Sequence, residues 1–508
     1  MPTRAADTAR PAAGDGTPDG APDDTPDQHT APGGPHPAGR NLPELPEADD
    51  TFDGDEAPLL PQQRDLWFLD RPAHLGSAHD NVQIVFLVEG PLDRDAYARS
   101  IRALVERHPA LRTGYVQRDG AVLQRVHEAD GFEVHLLETG DIGDDAVAAW
   151  LQAERARPFA PEGPHQLRAH LLAQADDWHT VVLTRPWGVF DGWSVRIVLG
   201  ELLAHYHAFV RGEEPGLAPL PLRCTDVARR RGLHDAEAAA ERDRQLDHWR
   251  KQLDGLPRCL SLRTDYPRGP VKSYRGASVD FEAGAELLDR LRKTSQEHGV
   301  TLYMTLLSAF AVLTGGHTDD HDLAIGAPVT NRPTEDEERL VGYFVTTLVM
   351  RLDITPERAF TDVLAQAREV VSQAHEHKDV TLTDLVEALA PEPDPAHSPL
   401  FQVMFNLIPS PDPEVEADGG TGDLSIVPLP AHPGTTRYDL SLTVQETASG
   451  LHGSLEYSTD LFTSRTAEDM ARTYERLLQE IARHPGSDLA RLRAEANTSH
   501  TSEGEQDR

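Results

Sequence analysis

Apolar positions recur along this chain in two alternating patterns: short runs rich in β-branched residues, and longer stretches with apolar residues three or four apart. Asn81–Glu89 (NVQIVFLVE) predicts a strand, and Trp178–Arg185 (WHTVVLTR) predicts a buried one. Arg94–His108 places Tyr97, Ile101, Leu104, Val105 and His108 on one helical face. Ser194 is positioned as the N-cap of a helix with apolar residues at Val195, Val198, Leu199, Leu202, Leu203, Tyr206 and Phe209. The pattern pauses around Pro215–Pro221, and a basic stretch (Ala228–Arg231) and an amphipathic helix (Ala238–Leu253) follow. In the second half, helices are predicted at Gly284–His298, Leu302–Thr314, Phe360–His375 and Ser464–Arg483. Strands are predicted there at Asp322–Val329, Phe344–Leu352, Phe401–Ile408, Tyr438–Glu446 and Leu451–Tyr457. Strands and helices mixed in both halves predict an α/β (α+β) protein of two lobes, residues 57–220 and 221–495.

The ends of the chain break this pattern. Residues 1–56 hold thirteen acidic residues, three arginines (Arg4, Arg10, Arg40), no lysine and ten of the 39 prolines. With almost no large apolar side chains, that segment buries too little surface to offset the entropy of ordering, so it is expected to be disordered. Residues 496–508 are similarly polar and are expected to fray.

The net charge of −36, from 84 acidic against 48 basic residues, repels phosphate backbones and anionic lipid and argues against a nucleic-acid partner. An acidic carrier protein would need a local basic patch to dock. No apolar run approaches the roughly 18 residues of a membrane span, and the first residues show no secretory signal. Cys224 and Cys259 are the two cysteines, which fits a reducing cytoplasm and excludes a disulfide framework or a cysteine-based metal site.

Several segments, in order, resemble the motifs of the condensation domains of nonribosomal peptide synthetases. Leu59–Asp70 (LLPQQRDLWFLD) resembles the opening motif, and Arg107–Tyr115 (RHPALRTGY) resembles the second, RHExLRTxF. Phe190–Ser194 (FDGWS) matches the end of the third, HHxxxDGWS. Val341–Arg351 (VGYFVTTLVMR), His377–Leu385 (HKDVTLTDL) and Ser398–Phe405 (SPLFQVMF) resemble the fifth, sixth and seventh, and Gly453–Phe462 (GSLEYSTDLF) resembles the region near the domain's end. The resemblance implies two chloramphenicol-acetyltransferase-like lobes in a V around a central tunnel. It also implies joining of a carrier-bound acyl or peptidyl thioester to an amine or hydroxyl acceptor. The chain is read as free-standing, with no cofactor of its own: partner carrier proteins bring phosphopantetheine in trans, alongside other synthetase modules.

The third motif departs from the family at its centre. Counting back from Asp191 and Gly192, the two histidine positions hold Pro186 and Trp187. In the family the second histidine contacts the attacking amine and manages its proton, a role suited to imidazole because one nitrogen accepts while the other donates. Indole has only an N–H donor, and losing a general base typically costs about 10²–10⁴ in rate. Pro186, lacking an N–H, belongs at a strand end. Trp187 is expected to fill the tunnel where histidine stood; the alternative is an aromatic wall for a ligand.

The resemblance further implies that Asp191 forms a structural salt bridge with an arginine of the second motif, Arg112, with Arg107 as the second candidate. Ser194, Thr346 (where the family usually has Asn) and His397 (in HSPL, where the family has RNPL) are candidate tunnel-lining residues. Asp65 stands where the opening motif usually has Arg. Two lookalikes are set aside: Gly315–Thr318 (GGHT), where Thr318 replaces a carrier's serine and the segment lies between a helix and a strand of the condensation pattern, and His317, Asp319, Asp320 and His321, which read as a solvated loop and not as metal ligands. Two functions compete, a condensation enzyme with an atypical site and a catalytically inactive module that binds carriers or recruits tailoring enzymes.

Overall fold

The computed structural model describes residues 55–70, 81–118, 120–140, 142–232, 236–389, 392, 394–408, 424–429 and 434–498. Most of both expected disordered tails lies outside these residues. At their inner edges, however, the chain is ordered. Glu56 is buried in β1 (Glu56–Pro58), where Arg118 and Arg125 pair with its carboxylate. Ala496 is fully buried near the end of the last helix, so the fold extends past residue 495.

In the first half, β1 is followed by α1 (Pro61–Asp70), β2 (Asn81–Glu89), α2 (Arg94–Arg107), β3 (Thr113–Arg118), β4 (Ala121–Val126), β5 (Val134–Glu138), α3 (Gly143–Arg155), β6 (Arg168–Ala175), β7 (Trp178–Pro186) and α4 (Gly192–Val210). The second half begins with α5 (Cys224–Gly232), α6 (Ala236–Gln252), β8 (Gly276–Gly284), α7 (Ala285–Glu297), α8 (Leu302–Gly315), β9 (Asp322–Thr330), α9 (Glu335–Glu338) and β10 (Val345–Asp353). It closes with α10 (Phe360–Glu376), α11 (Leu382–Leu389), β11 (Val403–Ile408), β12 (Ser425–Leu429), β13 (Leu440–Thr447), β14 (Gly450–Ser458), α12 (Ser464–Arg483) and α13 (Leu489–Thr498).

The strands form a five-stranded sheet ordered β12-β2-β7-β6-β5, a six-stranded sheet ordered β10-β9-β11-β13-β14-β8, and a small sheet ordered β1-β4-β3. β7 is central to the first sheet and buried along almost its whole length, with Val181, Val182 and Leu183 at its middle and His179, Thr180, Thr184 and Arg185 buried on either side of them. Helix α8 is apolar on every side and accordingly lies inside the second core; Thr301 caps it by accepting a hydrogen bond from the Met304 N–H. In α12, Ala467, Met470, Ala471, Tyr474, Leu477, Leu478 and Ile481 follow the three-and-four spacing and are all buried. Among the described residues no single helix is long and apolar enough to cross a membrane.

Each large sheet has its own hydrophobic cluster, but the sequence halves do not divide cleanly between them. Cys224, Val227 and Ala228 of α5 pack into the first core, together with Leu340, Val341, Phe344 and Leu424 from further along the chain. β12 crosses back to pair antiparallel with β2. The second half of the chain therefore stitches itself onto the first lobe in three places, and a boundary at residue 220 describes the sequence better than the packing.

Candidate active site at the turn between β7 and α4

Pro186 is the last residue of β7, at φ −63° and ψ 149°, opposite Asn81. Its ring closes the strand where no further ladder donor is needed. One 3₁₀ turn, Trp187–Val189, then leads to Asp191, and α4 starts at Gly192. The N-cap is Asp191, not Ser194 as the sequence suggested: its side chain accepts from the Ser194 N–H at 3.0 Å. Aspartate and serine are both good caps, but the helix begins at Gly192, so Ser194 lies within its first turn and its N–H is the donor that Asp191 caps.

Asp191 anchors a buried network. Its carboxylate pairs with Arg332, Nη1 to Oδ2 at 2.6 Å and Nη2 to Oδ1 at 3.1 Å, with both side chains 1% exposed. It also accepts from the Phe344 N–H at 3.0 Å and the Ser194 hydroxyl at 2.8 Å. The Ser194 oxygen in turn accepts from Arg332 Nη2 at 2.9 Å and the Gly342 N–H at 3.1 Å. Every oxygen of the acid thus has a donor, which is the condition under which a buried ion pair holds. Arg332 also lies over the Phe344 ring, 4.3 Å from its centroid.

Three sequence expectations are corrected by this network. Arg112 does not reach Asp191; its guanidinium donates to the carbonyls of Val105, Glu106 and His127 and so fixes the end of α2. Arg107 pairs instead with Glu201, 2.9 Å away, which His108 also contacts at 2.6 Å. Ser194 is fully buried in the network and does not line an opening. Gly192 is exposed, and a Cβ there would touch nothing within 4 Å. The glycine under steric demand is Gly188, where a Cβ would stand 2.9 Å from Leu66 Cδ1.

Trp187 is 42% exposed at the tip of the turn, contrary to the expectation that it packs. Its Nε1–H donates to the Tyr343 hydroxyl at 3.4 Å, and the Arg437 guanidinium stands 5.2 Å from its ring centroid, within cation–π range. Burial pushes the Tyr343 hydroxyl up to about 12, so it stays neutral and serves as a hydrogen-bonding group only. Arg185, which the sequence did not single out, sits beneath the turn. Its Nη1 donates to the carbonyls of Pro186 at 3.1 Å and Trp187 at 3.0 Å, and its guanidinium lies 4.0 Å from the Phe190 centroid. Burial lowers this group to about 10, which leaves it charged at neutral pH.

The other candidates lie elsewhere. Thr346 is 1% exposed on β10, with its hydroxyl unbonded. His397 is held by Asp394 at 2.8 Å in a loop. Thr318 of GGHT is buried and donates to Asp320. Among the described residues no histidine hydrogen-bonds to the turn from Pro186 to Gly192. The turn thus supplies one indole donor, a backbone held by a buried cation, and no imidazole.

The two mixed sheets, each with its own helices and core, are the two chloramphenicol-acetyltransferase-like lobes of a condensation-type fold. The Condensation domain family model matches residues 54–500, and the chain belongs to that family, the condensation domains of nonribosomal peptide synthesis. One of the linear gramicidin synthase proteins of Brevibacillus parabrevis is 37% identical over 437 residues, covering 84% of this chain and 6% of that protein. The phosphinothricin tripeptide synthetase PhsC from Streptomyces viridochromogenes is 34% identical over 470 residues, covering 90% of this chain and 41% of that protein. The chain spans 6–8% of the length of the three linear gramicidin synthase proteins it matches. Among solved structures, the X-domain in its complex with OxyB from teicoplanin biosynthesis superposes with a TM-score of 0.76 at 25% identity, covering 88% of this chain and 98% of that one.

Proposed function

We propose that this domain joins a carrier-borne acyl or peptidyl thioester to an acceptor amine or hydroxyl chiefly by holding the two together. The supporting observation is that Trp187 stands exposed on a turn whose scaffold, Asp191–Arg332 above and Arg185 below, is complete. A collapsed site would bury the indole; an exposed one leaves an aromatic surface against which an acyl chain or thioester packs. A thioester and a neutral amine react when oriented, and orientation alone is worth on the order of several powers of ten in rate. The missing imidazole removes about 10²–10⁴ of the rate that a general base supplies. The phosphopantetheine arm is part of the incoming substrate and belongs to the carrier.

The test is to incubate the purified chain with donor-loaded and acceptor-loaded carriers of its own pathway and follow product by mass spectrometry. The expected result is product above the uncatalysed background and a faster W187H variant. No product with any pair from the pathway, from either protein, rejects the reading.

A second reading has one observation behind it: the similar X-domain was solved together with OxyB. On that reading the domain recruits a modifying enzyme to a tethered intermediate. Co-purification with a pathway enzyme, together with no turnover by wild type, would favour it.

A further inference from the structure

Tyr343 lies just before β10 and is 8% exposed. The Asp191 network pins its backbone on both sides: the Gly342 carbonyl accepts from the Asp191 N–H at 3.1 Å, and the Phe344 N–H donates to the Asp191 carboxylate at 3.0 Å. The side chain between them brings its hydroxyl to 3.4 Å from Trp187 Nε1. That indole occupies the sequence position of the family's second histidine, so the hydroxyl stands beside the place where the reactants meet in the proposed reaction.

The hydrogen bond at this hydroxyl is one that it accepts, and no described residue takes its proton. The carbonyls of the turn are already engaged. Those of Pro186 and Trp187 accept from Arg185, and that of Gly188 accepts from the Tyr115 hydroxyl at 3.3 Å. A hydroxyl proton kept from water without an acceptor lowers the stability of the fold, and an acceptor on a ligand would complete it.

Two neighbours strengthen the donor. Chains of hydrogen bonds polarise one another, so accepting from the indole makes the tyrosine O–H a better donor. The Arg437 guanidinium, 5.2 Å from the centroid of the same indole, adds a positive field. Tyr343, Trp187 and Arg437 together form an edge suited to negative charge that develops during a reaction.

We propose that Tyr343 is a catalytic residue, its O–H donating to the oxyanion that forms on the donor thioester's carbonyl when the acceptor attacks. The inference rests on the condensing reading above and gives the charge developed in that reaction a partner. The acceptor's lone pair forms the new bond to the carbonyl carbon, and the C=O π pair moves onto oxygen, where Tyr343 meets it. When that pair returns, the C–S bond breaks and its electrons leave on the pantetheine sulfur. The proton released by the acceptor ends on that sulfur. Tyr343, neutral throughout, keeps its own proton, and the step uses nothing that the two substrates do not bring.

The test measures single-turnover condensation at increasing concentrations of donor-loaded carrier, with acceptor-loaded carrier in excess, for wild type, Y343F, W187F and the double variant. Y343F is expected to lower the maximal rate on the order of 10²–10³-fold while the half-saturating donor concentration stays within about twofold, because the contact is made in the transition state. W187F keeps a ring but loses the polarising N–H. It is expected to cause a smaller loss in the wild-type background and none beyond that of Y343F. An unchanged maximal rate in Y343F, or an effect confined to the half-saturating concentration, overturns the role of Tyr343 and leaves the condensing reading standing. Equal losses from W187F in both backgrounds overturn the polarised donor, since the indole then acts without the hydroxyl. If wild type forms no product, the condensing reading and the oxyanion donor both fall.

Discussion

The Asp65 carboxylate accepts hydrogen bonds from the backbone N–H groups of Leu382, at 3.1 Å, and Thr383, at 2.9 Å, across more than three hundred positions of sequence. The remaining donors of that helix start are met locally. Thr381 Oγ1 accepts from the Asp384 N–H at 3.2 Å, and Asp384 Oδ2 accepts from the Thr381 N–H at 3.0 Å, a reciprocal capping box. All four donors at the start of α11 therefore have partners, two of them supplied by α1. This explains why an acid stands where the family's opening motif usually has arginine: a cation there would face the positive end of a helix. D65A is expected to cost about 1–2 kcal/mol, as for loss of a cap. D65R is expected to cost more, because it adds a buried unpaired charge. Urea unfolding at pH 8 checks the order; equal stability of the two variants would show that α11 is capped without α1.

Removing one member of the Asp191–Arg332 pair leaves the other charge buried with its remaining partners. D191N and R332M are each expected to destabilise by about 3–5 kcal/mol, and a variant lacking both charges by less than the sum. The measurement is a double-mutant cycle by denaturant unfolding. By contrast, R112M should leave the Asp191 network intact and loosen only the end of α2. A loss at Arg112 coupled to Asp191 would contradict the Asp191–Arg332 pairing.

The pattern of residues reveals elements more readily than partners. β2 and α12 have the bounds that periodicity predicts, because each packs one regular face against a core. β12 escapes notice because its five residues, SIVPL, are mostly exposed and contain Pro428, as an edge strand allows. Arg332 escapes because its partner lies on the other side of the fold, and no period in a sequence encodes a contact over that separation. Locally the sequence even misdirects, since Glu335 and Asp336 stand three and four positions after Arg332, yet the structure pairs it with Asp191. Trp187 has the predicted place in the motif but different surroundings: its neighbours Tyr343 and Arg437 arrive from the second half of the chain. Glu456 lies inside a recognised segment, yet only strand register shows which face it takes.

Two glycines, neither at positive φ, give opposite expectations for the same substitution. A Cβ at Gly326 would stand 2.2 Å from Cε2 of Phe401, a ring that is 1% exposed and stacked on Tyr438. G326A is expected to cost about 1–3 kcal/mol by overpacking. At Gly192 there is open space around the helix start, so G192A is expected to be neutral or to stabilise by up to about 1 kcal/mol through the unfolded chain. Thermal melts of the pair test both; a large loss in G192A would show that the helix start has no room for a Cβ after all.

Two buried acids make stability fall as pH rises, opposite to the usual carboxylate behaviour. Burial raises Asp65 from 3.8 to about 6 and Glu456 from 4.5 to about 7. Between the lower and the upper value of each, the folded chain holds more protons than the unfolded one, so the slope of stability against pH is negative there and flat above about 7. His170 works the other way. Burial lowers it from 6.5 to about 4, so the unfolded chain binds more protons between those values and stability rises with pH across them. Burial also lowers His127, His179, His205, His248 and His317, which act in the same sense as His170, so the decline that Glu456 adds at pH up to about 7 is read as the difference between E456Q and wild type. E456Q, which never ionises, is expected to remove that decline and to exceed wild type by on the order of 1–2 kcal/mol at pH 8. Unfolding curves from pH 5 to 8 decide it. If E456Q follows wild type across the window, the Glu456 carboxylate is already solvated or paired in solution.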